Sequence, residues 1–381
     1  MKKITTLALL ILFAMSVAAQ DKSTFTFGAD ISWYTEMVSS GYSFAKGTKK
    51  MSCPELLREY GINAARFRVW VNPASKYNGK DDVVKKAKAA TECGLDVFID
   101  FHMSDTWADP ESQVVPKAWE KDSYAEMKAH LAEHVKDVLS ALVAEGVEPR
   151  WVQIGNETNN GMLWNLGKAS EKPAQYAGFI NEGYNAVKSV CPNAQVVVHV
   201  SNGFDQSLFD WNIGILKNNK AKYDIIGMSL YPGNDDSTAE TIDKTIKNIR
   251  HLSTSFGKKV MIVEVGLPIN SGSKGKSIMA DILNRAQNDT NKGCVGVLYW
   301  EPEAPSGWNY YQMGASIASS KVIKFTSVMD AFAEAAEATS IAAPVMLTQN
   351  NLQSIYSING TKLNAPIKGL NIINGKKVFV Q

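Results

Sequence analysis

Eight short runs rich in β-branched and aromatic residues recur along the chain, each followed by a stretch with the spacing of an amphipathic helix. The runs are Phe25–Ile31, Ala64–Val69, Leu95–Phe101, Trp151–Gly155, Gln195–Val200, Ile225–Leu230, Val260–Val263 and Val295–Trp300. Tyr124–Glu145, Pro173–Val190, Ala239–Phe256 and Lys276–Asn291 are clear examples of the intervening helices. Gly61, Gly94, Gly146, Pro192, Gly257 and Gly293 punctuate the returns from helix to strand. A strand that must cross a helix before the next strand can pair with it only in parallel. Eight such units over roughly 300 residues predict a closed (β/α)8 TIM barrel. A doubly wound open sheet is the competing arrangement, but no GxGxxG follows any strand.

Composition narrows the function. Of 381 residues, 45% are hydrophobic and 20% charged, which excludes global disorder. Lys and Arg number 40 against 38 Asp and Glu, so nothing in the charge calls for nucleic acid. Lys2 and Lys3 precede the apolar run Leu7–Ala19, with Val17 and Ala19 at the small-residue positions of a cleavage site. Residues 1–19 therefore read as an export signal, too short for the ~20 residues that span a bilayer, and no transmembrane segment is expected. Without them the remaining chain is charge-balanced, the two lysines being the whole excess. The barrel is expected to occupy residues 20–337, closing with a helix at Lys324–Glu337, followed by a linker at 338–351 and a β-rich tail at 352–381. Asn359-Gly360 and Asn374-Gly375, each between apolar runs, are hairpin signals in that tail. Cys53, Cys93, Cys191 and Cys294 are widely spaced without a CxxC, so they read as buried small hydrophobes or as disulfide partners.

In such a barrel, chemistry collects at the C-terminal ends of the strands. Asp30, Ser32 and Trp33 follow the first strand; Arg66, Arg68 and Trp70 mark the second; Asp100, His102, Ser104, Asp105 and Trp107 the third. Asn156-Glu157 ends the fourth, His199 and Asn202 the fifth, Ser229 and Tyr231 the sixth, Glu264 the seventh, Trp300 and Glu301 the eighth. Eight of the nine Trp are expected at strand ends or in the loops that follow, where indole faces can stack on sugar rings. Glu157 and Glu264 form the central pair. A carboxylate directly after an apolar strand is costly without a partner, and two across one barrel mouth are what glycoside hydrolysis uses: one protonates the leaving oxygen, the other attacks the anomeric carbon. Burial and the nearby like charge should raise the pKa of Glu157, and Arg68 is the residue expected to hold Glu264 ionised. Glu301 and Glu303, flanking Pro302, read as rim residues. His102, His199, Asp105 and Asp109 could ligate a metal, but no HExxH or strand-one HxH is present, and no metal or cofactor is expected. No GxSxG occurs.

Specific strings sharpen this. Gly28-Ala29-Asp30-Ile31-Ser32, Arg66-Phe67-Arg68-Val69-Trp70-Val71-Asn72-Pro73, and the run from Asp100 to Pro110 resemble the glycoside hydrolase family 53 endo-β-1,4-galactanases. So do Pro116-Lys117-Ala118-Trp119, Gln153–Glu157, Ser229-Leu230-Tyr231-Pro232 and Tyr299-Trp300-Glu301-Pro302. The resemblance covers roughly residues 25 to 335. It implies cleavage of β-1,4-galactan, the side chain of type I arabinogalactan in pectin, and a monomer is expected. It makes Glu157 the acid/base and Glu264 the nucleophile. It implies that Asn156 binds the 2-hydroxyl, Tyr231 hydrogen-bonds the nucleophile and Trp300 floors that subsite, with Asp30, Arg68, His102, Asp105, Trp107 and His199 lining the rest. After Glu264 the chain reads Val265-Gly266-Leu267-Pro268 where the family usually has an aromatic residue before Pro. The loop Ile269–Ser277 is short and carries no acidic cluster to replace the calcium ligands some relatives hold. A related barrel glycosidase such as a β-mannanase, or a galactan-binding barrel without catalysis, are the alternatives.

Overall fold

The computed structural model describes residues 25–342, 355–357, 359–363, 368–373 and 376–380. The expected signal of residues 1–19 and most of the expected linker, 343–351, lie outside them.

Eight parallel strands close into a barrel: β1 (Thr26–Asp30), β2 (Ala64–Val69), β3 (Asp96–Phe101), β4 (Trp151–Ile154), β5 (Gln195–Val200), β6 (Ile225–Leu230), β7 (Lys259–Val265) and β8 (Cys294–Trp300). The seam closes at Gly28, which lies level with Ala64 of β2 on one side and Leu298 of β8 on the other. A Cβ on Gly28 would come within 2.4 Å of Leu298 Cγ, so the absence of a side chain here makes room for Leu298 in the barrel interior. Besides a short helix at Tyr34–Ser39, the helices are α1 (Cys53–Glu59), α2 (Lys80–Glu92), α3 (Tyr124–Ala144), α4 (Pro173–Val190), α5 (Gln206–Asn218), α6 (Thr238–Phe256), α7 (Gly272–Asn288) and α8 (Ser327–Ala342). Ser52 and Ser123 cap α1 and α3, each in a reciprocal box with a Glu three residues on. Gly257 ends α6 with φ +64°, a conformation that favours glycine. The last helix was expected at Lys324–Glu337. It starts later because Lys324 belongs to the strand Val322–Phe325, and it runs further because the Ala-rich sequence to Ala342 favours helix.

Side chains on each strand alternate between two environments. Outward residues such as Ala65, Phe67, Val69, Val97, Ile99 and Phe101 pack under the helices. Inward residues Ala64, Phe98, Trp151, Val197, Ile225, Met261, Val263 and Leu298 fill the lower barrel as a separate apolar cluster. Trp151, which opens β4, is fully buried in it. The next inward positions toward the C-terminal end are polar: Asp30, Arg66, Asp100, Gln153, His199 and Ser229 are all buried. On β7 the alternation breaks. Ile262 pairs with Met228, but the next pair on β6 is Ser229 with Glu264, and the register on the β8 side slips at the same place. This bulge lets Val263 face inward and still turns Glu264 inward directly after it.

Two hairpins stitch the first and last strand-to-helix connections together. Ser43–Lys46 and Lys49–Met51 lie between β1 and α1, and Ser316–Ser319 and Val322–Phe325 lie between β8 and α8. They merge into one four-stranded sheet through parallel pairing of Val322 with Ser43 and Ile323 with Phe44. In the tail, Ile355–Ser357, Gly369–Ile373 and Lys376–Val380 form an antiparallel three-stranded sheet. Asn359-Gly360 sits at a turn in which the Gly360 N–H donates to Ser357 O at 2.9 Å. Asn374-Gly375 lies outside the described residues. The four cysteines are free thiols, three of them buried, which settles for the small-hydrophobe reading. Among the described residues no helix is long and apolar enough to cross a membrane.

Candidate active site

Arg66 organises the barrel floor. Its guanidinium, fully buried, is 2.9 Å from carboxylate oxygens of Asp30, Asp100 and Glu264. Its Nη2 also donates to Gln153 Oε1 and Asn156 Oδ1, each at 3.1 Å. Burial opposes the charge on Arg66, but Asp100, Glu264 and Asp30 outweigh it and keep the group protonated. The alternation Ala64-x-Arg66-x-Arg68 on β2 puts both arginines inside the barrel, one turn of the pleat apart.

Glu264 receives Arg66 on one oxygen and the Tyr231 hydroxyl, at 3.0 Å, on the other. Glu157 follows β4 with φ +45°, a left-handed backbone rare outside glycine. Neighbours fix it there: Thr158 N–H and Oγ1 both donate to His199 O, at 2.8 and 3.0 Å, and Gln113 Nε2 donates to Asn156 O at 2.8 Å. The Glu157 carboxyl accepts the Ser229 hydroxyl at 2.6 Å. Burial raises the pKa of Glu157, offset by the Ser229 bond and by Arg66. Burial also raises Glu264, against Arg66 and with Glu157, up to about 8. The two carboxyls thus repel and together hold a proton well above the ordinary carboxyl range. Arg66 and Tyr231 donate to Glu264 and not to Glu157, so they favour the charge on Glu264. Burial and the Arg66 charge push His199 well below its usual range, so it is neutral.

These shifts carry a stability signature. A carboxyl whose pKa is raised in the fold binds its proton more tightly folded than unfolded. Its contribution is therefore greatest below the unfolded value and is lost as pH rises toward about 8. Glu264→Gln removes the like charge that makes the pair hold its shared proton, and with it that titration. Its stability relative to the unaltered chain should rise between pH 5 and pH 8 by a few kcal/mol, at about 1.4 kcal/mol per pKa unit. Urea melts of both proteins at the two pH values check this, and parallel pH dependences would refute it.

An aromatic wall rises beside the pair. Trp300 meets Trp33 at 5.4 Å, Trp107 at 5.9 Å and Tyr311 at 4.7 Å between ring centroids, all edge to face. With Trp70, Glu36 and Tyr310 these rings border a cavity of about 570 Å³. Arg68 lies beneath, 4.4 Å from the Trp107 ring centroid and 5.1 Å from that of Trp33. Glu301 pairs with Arg68 and accepts the Trp33 N–H at 3.2 Å. Glu303 is sealed beside Glu301; burial, then the charge of Glu301, push its carboxyl well above the ordinary range.

The sequence reading needs three corrections here. Arg66, not Arg68, holds Glu264, because the pleat sets Arg66 at the level of Asp30 and Asp100 and carries Arg68 one step higher to Glu301. Glu301 and Glu303 are fully buried rather than rim residues. Trp211 lies within α5 and is 41% exposed, so seven rather than eight Trp belong to strand ends and loops. Asp105, expected to line the site, is partly exposed in the loop after β3 and accepts Asn72 N–H and Lys117 N–H at 2.8 Å each. The remaining expected residues converge. His102 Nε2 reaches Asp100 at 3.1 Å while its Nδ1 accepts Trp70 Nε1 and Ala108 N–H, both at 3.2 Å. Asn156 Nδ2 donates to Ala108 O at 2.8 Å. Arg66, Asp100, Gln153 and Ser229 had no assigned part; the period-two spacing of polar residues inside otherwise apolar strands is the signal that marks them.

Sugar-cleaving chemistry follows from a closed parallel barrel with two interacting carboxyls at the ends of β4 and β7, flanked by indole faces, and the protein is a glycoside hydrolase. The model for glycosyl hydrolase family 53 matches residues 26–278, and the chain belongs to that family. The endo-β-1,4-galactanase of Bacillus subtilis is 31% identical over 322 residues, 76% of this chain and 72% of that protein. The arabinogalactan endo-β-1,4-galactanase of Cellvibrio japonicus is 29% identical over 330 residues, 79% of this chain and 86% of that one. Among solved structures, a fungal β-1,4-galactanase superposes with a TM-score of 0.73 at 27% identity, covering 81% of this chain and 99% of that one.

Proposed function

We propose that the protein is an exported endo-β-1,4-galactanase that cleaves pectic galactan with retention of configuration. The observation that carries the reading is the unequal pair. Glu264 is paired with Arg66 and bonded by Tyr231, whereas Glu157, among the described residues, is hydrogen-bonded by a hydroxyl alone and stays protonated. The Glu264 carboxylate attacks the anomeric carbon while the bond to the leaving oxygen breaks; that oxygen keeps the electron pair and takes the Glu157 proton. Water then gives its proton to Glu157 and its oxygen displaces Glu264, so two inversions restore the β configuration. Trp107 and Trp300 present stacking surfaces to the sugars. Arg68, His102, Asn156, His199 and Tyr231 position the groups around them, and Asp30 acts through Arg66. The substrate class rests on the named relatives, and export on the Leu7–Ala19 segment. The protein works as a single chain without a cofactor.

Digestion of galactan, mannan, xylan and arabinan, with products sized over time, tests the substrate. Galactan alone should yield short oligosaccharides, and mannan cleavage without galactan cleavage would overturn the reading. Proton NMR of the first products should show the β anomer; an α anomer rules out retention.

A further inference from the structure

The hydrogen bonds around His199 have a fixed direction. The backbone N–H of Glu157 points at His199 Nδ1 at 3.3 Å. A backbone N–H has one hydrogen and cannot turn away, so Nδ1 must present a lone pair. Asn156 Oδ1 also lies 3.0 Å from Nδ1, but it already receives Arg66 Nη2 at 3.1 Å. A neutral imidazole with a bare Nδ1 carries its proton on Nε2. Nε2 is 2.9 Å from Ser229 Oγ and therefore donates to it. The Ser229 hydroxyl must then direct its own proton elsewhere, and Glu157 Oε1 lies 2.6 Å away. Oε1 is thereby an obligate acceptor. Oε2 has no hydrogen-bond partner among the described residues, so a protonated Glu157 carries its hydrogen there.

We propose that Ser229 and His199 are positioning residues that fix the acidic proton of Glu157 on Oε2, the oxygen left free to face the leaving group. The chain begins and ends on the same residue: the backbone of Glu157 sets the His199 tautomer, and the relay returns through Ser229 to the side chain of Glu157. The left-handed φ of Glu157 serves this circuit, because it aims the N–H at the imidazole while the side chain reaches Ser229. The inference rests on Glu157 being the acid/base.

Ser229→Ala tests it, read as kcat/KM on two aryl β-1,4-galactobiosides. A phenyl leaving group needs protonation as its C–O bond breaks; a 2,4-dinitrophenyl group departs as a stable anion. Loss of acid orientation should lower kcat/KM for the phenyl glycoside by about 10- to 100-fold, and at least tenfold more than for the dinitrophenyl glycoside. The basic limb of the phenyl-glycoside pH profile should move to higher pH, because the Ser229 bond stabilises the Glu157 carboxylate. The charged groups facing Glu157, namely Arg66, Asp100, Asp109 and Glu264, are untouched by the change. Ser229→Thr, which keeps the hydroxyl, should recover the phenyl activity, and Ser229→Gly deletes the same hydroxyl if the Ala variant does not fold. Equal losses on both glycosides with an unmoved basic limb would show Ser229 to be merely structural. Glu157→Gln separates the two readings: a steep leaving-group dependence there with none in Ser229→Ala sinks the relay alone, while a flat one removes Glu157 as the acid.

Discussion

Glu264→Ala is expected to lower galactan hydrolysis by at least about 10⁴-fold, the scale on which loss of a covalent nucleophile is felt. The fold should survive, because Ala removes one of the three carboxylates around Arg66 and leaves it two. On the proposed mechanism the space vacated faces the anomeric carbon. Sodium azide added to the variant should enter it and displace an activated aryl leaving group, giving an α-galactosyl azide by a single inversion. A β-azide would place the nucleophile elsewhere, and activity equal to the unaltered protein would remove Glu264 from the reaction. Circular dichroism on the same sample shows that the loss is chemical.

Arg66→Met should be the most damaging single change to stability. The guanidinium is the shared counter-ion of Asp30, Asp100 and Glu264, all fully or nearly fully buried. Removing one partner of a buried ion pair costs about 3–5 kcal/mol, because the charges left behind have no water to turn to. Urea melts at pH 7 should show a loss on that scale, smaller at low pH where the carboxyls can protonate. Arg66→Lys should recover little, since a point charge with three donors cannot span acceptors supplied by β1, β3 and β7. A loss below about 0.5 kcal/mol, the range of ordinary surface changes, would mean that the network is not what holds the floor.

The barrel was legible because its message is repetitive. Each strand is an apolar run long enough to cross the barrel wall, and all eight expected runs coincide with observed strands to within a residue or two. Glu157 and Glu264 were legible because a carboxyl following such a run is conspicuous. What the sequence did not show is orientation. Glu264 follows inward-facing Val263, so simple alternation would turn it outward; only the register slip on β7 points it at Arg66. Arg66 and Arg68 are indistinguishable by type and spacing, and their separate partners emerge only when strand stagger sets their heights. Glu301 and Glu303 read as surface residues because paired acids usually are. They lie inside because Arg68 and a retained proton together offset their charge. Trp211 was misplaced for a simpler reason: its neighbours in α5 have helical spacing, and its indole is on the outer face.

The charge balance of the whole chain hides a sorting. Around Arg66, three carboxylates share one guanidinium, while His199 beside them is neutral. The barrel mouth is thus an electronegative well in a protein with no overall charge to speak of. Such a well does nothing for an uncharged sugar at rest. It acts when the glycosidic bond stretches and the ring carbon becomes cationic, since only then is there positive charge to stabilise.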